Sequence, residues 1–177
     1  KAAEGRAYGN LGNVYHGLGD FHKAIEYHER QLQIAKVMGD KVGEGVAYGN
    51  LGIVYDNIGD SHKAFQYQER RLKIAKEVGD KAGEGVAYGC LGIAYQKLGD
   101  IHKGVELHER QLLIAKEVGA KTQEGCAYAN LGVAYHNLGD FQKAFDYQER
   151  HLQIAKEQGA KAREGSSYEN LGTLYTR

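Results

Sequence analysis

The fold is decided by the stretch GNLGIVYDNIGD, which occupies residues 49–60. Close copies of it begin at residues 9, 89 and 129, and a shortened copy begins at residue 169. Within each copy a leucine, a glycine and a tyrosine hold the same places, which in the second copy are Leu51, Gly52 and Tyr55. A fixed period in the range of 20 to 50 residues is typical of a repeat protein, in which each repeat contacts mainly its neighbours.

The composition of the chain gives no reason to expect nucleic acid or a membrane as a partner. Its 23 basic and 23 acidic residues give a formal net charge of zero, so there is no excess of positive charge to attract phosphates. No apolar run approaches the roughly 20 residues that span a bilayer, and Lys1 begins no signal-peptide pattern. The two cysteines are isolated substitutions, so we expect no disulfide framework and a cytoplasmic location.

Each repeat is predicted to contain two helices. Gly59-Asp60 and Gly79-Asp80 divide residues 41–80 into two segments of about 17 residues, and glycine just after a helix with aspartate before the next one is a stop-and-start signal. We predict that the second helices begin at four capping aspartates, Asp20, Asp60, Asp100 and Asp140. Asp40 and Asp80 are predicted to cap first helices. Ala120 and Ala160 hold the equivalent positions without a capping side chain, and each missing cap lowers stability by about 1 kcal/mol.

The apolar residues of both segments follow the period of a helix. Tyr48, Leu51, Tyr55 and Ile58 share one face of the first helix, and the second helix carries two apolar stripes, which suits a helix packed on both sides. The sequence therefore predicts an all-α fold, an α-solenoid (superhelix) of stacked antiparallel helical hairpins. As a single array it would contain full repeats at 1–40, 41–80, 81–120 and 121–160, and a partial repeat, one extra first helix, at 161–177.

This repeat resembles the tetratricopeptide repeat. The shared pattern reads, in the second copy, Tyr48-x-x-Leu51-Gly52-x-x-Tyr55, then Gly59-Asp60 and Ala64. The resemblance covers the whole chain and implies a right-handed superhelix. The chain departs from the family in its period of 40 rather than 34 residues and in the absence of the later proline. Polar residues also stand where the family has a later phenylalanine: His28, Gln68, His108 and Gln148.

The long period is similar to a subclass of the family, the repeats of the Leu-Gly-Asn adaptors of G-protein signalling and spindle orientation (LGN/Pins). The likeness is carried by a Leu-x-Ile-Ala-Lys motif and by the connection Gly-Asp-Lys-x-Gly-Glu-Gly. The second and third repeats are identical at 25 of 40 positions, which favours a recently duplicated or engineered array over a specialised adaptor.

The last helix has no predicted partner. Residues 161–177 would form a first helix with no second helix after it, so that Leu171, Leu174 and Tyr175 would meet solvent. Terminal repeats normally have a polar outer face. We therefore expect either part of a longer array or end-to-end self-association through the uncapped terminal helices.

The resemblance implies that a protein or peptide partner binds in a concave groove lined by the first helices. We predict the following groove residues from the family's ligand positions: Arg6, Asn10, Asn13, Val46, Asn50, Ile53, Asn57, Val86, Ile93, Lys97, Asn130, Val133, Asn137 and Asn170. The recurring asparagines can hydrogen-bond a peptide backbone, and the aliphatic residues form an apolar floor. With only Arg6 and Lys97 as basic residues, a clamp for a terminal carboxylate is not expected.

Three alternatives remain open for these residues. The asparagines either bind a ligand or hydrogen-bond within the stack of helices. Ile53 and its equivalents either face the groove or are partly buried between first helices. Gly49 either lets a ligand backbone approach closely or serves helix packing.

The sequence contains no arrangement of residues that indicates catalysis. Its eight histidines and two cysteines do not follow metal-ligand spacing, and Cys90 and Cys126 are not expected to pair. Glu44 and its equivalents are expected to form bonds across the repeat boundary rather than act as a base. There is no nucleophile–base pair and no phosphate-binding loop, so we predict no enzyme and no cofactor. The alternative to a binding scaffold is a structural array with no dedicated ligand.

Overall fold

The computed structural model describes residues 1–175, with the side chains of residue 171 and of residues 173–175 left out. All regular secondary structure in this range is helical. The helices are α1 (Ala2–Gly17), α2 (Phe21–Met38), α3 (Lys41–Asn57), α4 (Ser61–Val78), α5 (Lys81–Lys97), α6 (Ile101–Glu117), α7 (Lys121–Asn137), α8 (Phe141–Glu157) and α9 (Lys161–Tyr175). The expectation that Leu171, Leu174 and Tyr175 meet solvent lies outside the described side chains.

The chain divides into two compact parts, Lys1–Cys90 and Leu91–Arg177. In the first part α2 packs on α1 and α3, and α3 packs on α4. In the second part α7 packs on α6 and α8, and α8 packs on α9. Within each part these consecutive helices are therefore neighbours in space, and the predicted all-α solenoid class is confirmed. That the whole chain forms one array of four full repeats and a partial one stays a prediction.

The helix ends form where glycine and aspartate predict them. In every second helix the capping aspartate accepts a hydrogen bond from the backbone N–H three residues further on, at 3.0–3.2 Å: Asp20, Asp60, Asp100 and Asp140. Asp40 and Asp80 cap α3 and α5 in the same way at 2.9 Å. Ala120 has no side-chain cap. Gly79 ends α4 with a φ of 73°, a left-handed conformation that favours glycine.

The core of the first part lies between α2, α3 and α4. Leu51 of α3 is fully buried, and it belongs to one cluster with Leu32 of α2 and Ile74 of α4. In the second part Leu131 and Ala134 of α7 are fully buried. The middle first helix of each part is therefore covered on more than one side, as the two apolar stripes of the second helices predict.

A tyrosine stack joins the two helices of the second repeat beside this core. The ring of Tyr67 lies between those of Tyr48 and Tyr55, with centroid distances of 5.9 and 5.4 Å. Lys63 lies over Tyr55 at 4.8 Å and Arg70 over Tyr48 at 5.5 Å. Aromatic and cation–π contacts of this kind stabilise the hairpin beyond the area that they bury.

Glycine allows a polar side chain to lie directly on the first helix of each hairpin. A Cβ atom on Gly52 would be 2.5 Å from Nε2 of Gln68, which donates a hydrogen bond to the carbonyl oxygen of Gly49 at 3.2 Å. The same contact recurs in three other hairpins, as the pairs Gly12–His28, Gly92–His108 and Gly132–Gln148. Glycine at this position therefore leaves the space that the polar side chain of the second helix occupies.

The expectation that Glu44 bonds across the repeat boundary is wrong. Glu44 accepts a hydrogen bond from Nζ of Lys41, in its own helix, at 2.9 Å. Three of its four equivalents do the same with the lysines three residues earlier, in the pairs Lys81–Glu84, Lys121–Glu124 and Lys161–Glu164. Residues three apart are neighbours on a helix surface, and that short spacing decides the pairing.

We predict opposite effects for alanine at two equivalent glycines. Gly52→Ala should lower the free energy of unfolding by about 1–2 kcal/mol, because the new Cβ displaces Gln68 and overpacks the hairpin. Gly172 holds the same position in α9, where a Cβ would have no neighbour within 4 Å. Gly172→Ala should therefore raise the free energy of unfolding by up to about 1 kcal/mol, since alanine is the better helix former. Urea denaturation followed by circular dichroism measures both, and effects of the same sign would contradict the packing described.

Candidate functional site

Four of the five apolar residues predicted for the groove are accessible. In the first part Val46 and Ile53 on α3 are 42% and 38% exposed. In the second part Ile93 on α5 and Val133 on α7 are 37% and 42% exposed. More than half of each of these side chains is nevertheless covered, so the alternative of partial burial between first helices stays open. Within each part separately, we call this side of the first helices the first-helix surface; it carries Val46 and Ile53 in the first part, and Ile93 and Val133 in the second.

The remaining predicted groove residues fall into two groups by burial. The exposed group consists of Arg6, Asn10, Asn13, Asn57, Lys97 and Asn137. The half-buried group consists of Asn50, Val86, Asn130 and Asn170.

Some of the recurring asparagines are engaged within the protein. Nδ2 of Asn130 donates to Oε1 of Gln111 on α6 at 3.3 Å, and Nδ2 of Asn170 donates to Oε1 of Gln148 on α8 at 3.4 Å. Asn130 and Asn170 therefore hydrogen-bond within the stack of helices, which is one of the two alternatives for the recurring asparagines. Asn57 is not part of that series. Its Nδ2 donates a hydrogen bond to Nε2 of His16 on α1, the neighbouring first helix.

Gly49 serves helix packing. It is buried, and a Cβ atom there would lie 2.5 Å from Nη1 of Arg71 on α4. Gly9 has the same relation to Gln31 on α2, at 2.9 Å. The idea that these glycines let a ligand backbone approach is therefore corrected, because side chains of the second helices already occupy the space.

Sequence reasoning missed these second-helix side chains. They come from one position in each second helix, which carries three residue types among four copies: Gln31, Arg71, Gln111 and His151. The available signal was the variation itself, since a position that changes within otherwise similar repeats is not fixed by packing alone. Arg71 is the single cation in this set.

A cleft in the first part brings two predicted groove residues together. It has a volume of about 240 Å³, and α1, α2 and α3 all line it. Arg6 and Val46 lie on its walls beside Gln31, Met38 and Val42. The walls are mostly apolar with a few polar groups, which is the usual character of a binding cleft.

Burial lowers the pKa of three histidines on second helices, whose rings pack against the first helices. His108 is fully buried, and neither ring nitrogen has a hydrogen-bond partner among the described residues. Burial lowers the pKa of His108 to about 4, with Gln111 close enough to offset part of the shift. Burial also lowers the pKa of His28 and of His151, whose Nδ1 lies 2.8 Å from the hydroxyl of Ser167. These imidazoles are neutral at pH 7.

Within residues 1–175 no group of three or more histidine, cysteine or acidic side chains is arranged to hold a metal ion. Cys90 and Cys126 are free thiols. None of the helices in this range combines the length and the apolar character that crossing a membrane requires.

The chain belongs to the tetratricopeptide repeat family. The sequence profile of that family matches residues 4–77, 84–157 and 123–177, which together cover nearly all of the sequence. Repeats of this family generally mediate protein–protein interactions. No curated protein matches the sequence, and the finer resemblance to the Leu-Gly-Asn adaptors stays a prediction.

Solved structures with the same fold come from distant proteins. BtubC (BKLC) from P. vanneervenii is 24% identical, with a TM-score of 0.87 over 99% of this chain and 73% of that one. The tetratricopeptide repeat sensor protein PH0952 from Pyrococcus horikoshii, a signal transduction ATPase with numerous domains, is 22% identical, with a TM-score of 0.83 over 99% and 27%. Aspartyl phosphate phosphatase F from Bacillus subtilis is 10% identical, with a TM-score of 0.90 over 98% and 45%. These likenesses concern the fold.

Because these histidines are buried, we predict that the free energy of unfolding decreases in mild acid. Because the folded-state pKa of His108 is about 4 and the ordinary value is 6.5, the unfolded chain binds the proton first. Stability is therefore fully present above pH 6.5 and is lost as the pH falls toward 4, by about 3 kcal/mol from this one residue.

The matched variant for this prediction is His108→Gln, which copies Gln68 and Gln148 at the same position. It should remove most of this pH dependence in urea unfolding measured between pH 7 and pH 4.5. His102→Gln, at an exposed position where α8 has Gln142, should leave the dependence unchanged. The same slope in the wild type and in His108→Gln would refute the assignment.

Proposed function

We propose that the protein is a binding scaffold and that a peptide segment of a partner protein lies along the first-helix surface. The observation that carries the proposal is the exposure of aliphatic residues on the first helices of each part: Val46 and Ile53 in the first part, Ile93 and Val133 in the second. Burying apolar side chains is the main source of affinity in protein association, with about 25 cal/mol per Å² as its usual scale. Exposed aliphatic residues at a fixed register therefore favour an extended or helical ligand.

The polar residues of the surface support the same proposal. Asn10 and Asn13 on α1 are exposed, and an amide offers both donors and an acceptor to a peptide backbone. Differences between repeats would supply specificity, since one position reads His16, Asp56, Gln96 and His136 along the chain. A partner with mixed polar and apolar character fits this surface best.

The alternative function is a self-associating array, and one observation favours it. Leu11 and Val14 on α1 are exposed, whereas their equivalents Leu51 and Val54 on α3 are buried. On α9, Tyr168 is exposed although the equivalent tyrosines on α3 and α7 are buried. Both open faces are sides of first helices, and each is the kind of face that a second helix covers elsewhere in the chain.

Substitution of the apolar floor tests the binding proposal. Peptides selected from a displayed random library on the wild-type protein should bind Ile53→Asp at least about tenfold more weakly, because a buried isoleucine contributes about 1.5–3 kcal/mol. Ile53 is exposed in the free protein, so the unfolding midpoint should stay the same. Fluorescence anisotropy with labelled peptides measures the affinity.

The matched control is Leu113→Asp, which places the same charge at an exposed leucine on α6 rather than on a first helix. It should leave peptide affinity unchanged. Equal losses in both variants would remove the first-helix surface as the binding site. Sedimentation of the protein alone over a concentration series tests the alternative, and a monomer throughout would eliminate it.

A further inference from the structure

The exposed face of α4 carries more positive charge than the exposed faces of the other second helices. α4 contains five basic and two acidic residues, whereas α6 and α8 contain three of each. One of the five, Arg71, packs on α3 and is half-buried. The other four are exposed: Lys63, Arg70, Lys73 and Lys76. In a chain whose net charge is zero, positive charge is therefore concentrated on this one helix.

Two differences from the other second helices produce the excess. In α2, Glu26 forms a salt bridge with Arg30 at 2.6 Å. In α4, Gln66 stands at the position of that carboxylate, four residues before Arg70. Lys73 then follows three residues after Arg70, where α2 and α8 have glutamine and α6 has leucine. Because residues three apart are neighbours on a helix surface, α4 presents two adjacent cations where α2 presents an ion pair.

These two cations are not paired within the protein. In the part of the chain from residue 1 to residue 175, neither Arg70 nor Lys73 forms a salt bridge. Glu69 and Glu77 each lie four residues from Lys73, but neither carboxylate reaches it. Exposed ion pairs of that kind contribute only about 0–1 kcal/mol, so a better-placed carboxylate of another molecule can take their place.

A third cation approaches from the preceding hairpin. Nζ of Lys36 on α2 lies 5.4 Å from the ring centroid of Tyr48, and the guanidinium of Arg70 lies 5.5 Å from the same centroid. Nη1 of Arg70 also donates a hydrogen bond to the hydroxyl of Tyr48 at 3.4 Å. Since Tyr48 is buried, it holds both cations in place. We call Lys36, Arg70 and Lys73 the basic patch.

We propose that the basic patch binds an acidic segment of a partner protein, at a site separate from the first-helix surface. The patch lies on second helices, and a guanidinium offers a carboxylate two parallel N–H donors while the lysines add charge beside it. Charge complementarity of this kind speeds association and selects the partner. Nucleic acid fits less well, because proteins that bind it commonly make about 6–10 phosphate contacts, and the patch supplies three cations.

The test uses a labelled, end-capped peptide of twelve residues in which glutamate and serine alternate. Fluorescence anisotropy measures its affinity, and the same peptide with glutamine in place of glutamate is the reference. We expect the wild type to bind the glutamate peptide more tightly than the glutamine peptide. The affinity should fall as sodium chloride is raised from about 50 to about 300 mM, because salt screens exposed charges.

The variant that tests the patch is Gln66→Glu/Lys73→Gln, which gives α4 the residues that α2 has at these positions and should therefore keep its thermal unfolding midpoint. It should weaken binding of the glutamate peptide by about fivefold or more. The control Lys116→Gln/Lys156→Gln lowers the net charge by the same amount at exposed lysines of α6 and α8. It should change the affinity by less than about twofold, and equal losses in both variants would overturn the role of the patch.

Ile53→Gln distinguishes this inference from the proposed function. It should leave binding of the glutamate peptide unchanged, because Ile53 belongs to the first-helix surface. A loss in this variant would place the acidic peptide in the groove and overturn the role of the basic patch. Single-stranded DNA of twelve nucleotides that binds as tightly as the glutamate peptide, and weakens in Gln66→Glu/Lys73→Gln, would overturn the proposal in favour of nucleic acid. If the wild type binds neither probe, the basic patch is not a binding site, and the proposed function of the first-helix surface still stands.

Discussion

The contact between a glycine of the first helix and a polar side chain of the second helix is the constraint on which each hairpin depends. At Gly52 the absence of a side chain brings Gln68 onto the backbone of α3, where its amide reaches a main-chain carbonyl. Glycine in a helix costs about 1 kcal/mol relative to alanine, so a first helix is a weak helix by itself. Its stability must come from packing, and the two parts of the chain show that packing mainly between consecutive helices.

This constraint also determines what the first helix can present to a ligand. One side is occupied by the second helix of its own hairpin, and in α3 Leu51 is covered within the core as well. The side that remains carries Val46 and Ile53, which are accessible without any loss of packing. Substitutions on this side can therefore change between repeats while the hairpin stays the same, which is how a repeat protein acquires a specific partner on a generic scaffold.

The histidines at the glycine contact connect the packing to pH. Glutamine and histidine alternate at this position, and both fill the space above the glycine. Glutamine does not bind a proton in this pH range. A buried histidine resists protonation in the folded protein, so a falling pH favours the unfolded chain, in which the histidine binds a proton. The choice between two residues of similar size therefore changes the acid stability of the array and leaves its geometry unaltered.

Local signals in the sequence predicted most of the fold, because helix ends and helix faces depend on residues within a few positions of one another. Asp20 and Asp60 cap as expected, and the helix α3 ends just before the predicted glycine. The relations between helices were harder to predict, since residues about 20 positions apart meet only when the helices pack in a particular register. For this reason the packing role of Gly49 stayed open and Arg71 was overlooked.

The same reason explains the outcome for the candidate site. The helical period placed Val133 on the same helix side as Ile53 but left its exposure open, and the bond from Asn130 to Gln111 depends on where α6 lies against α7. The predicted bond of Glu44 across the repeat boundary was wrong because a local contact was overlooked. Lys41, three residues earlier in the same helix, is a nearer partner than the next repeat.

The central claim is that the 40-residue repeat is a mechanical unit stabilised by its neighbours. Deleting residues 121–160 tests it most directly, because the deletion joins Ala120 to Lys161 and preserves the register of the sequence. The account predicts that the shortened protein keeps the helical fraction of the full chain and still unfolds cooperatively in urea, at a lower midpoint, as measured by circular dichroism. A shortened chain that loses its helical signal altogether would contradict the claim.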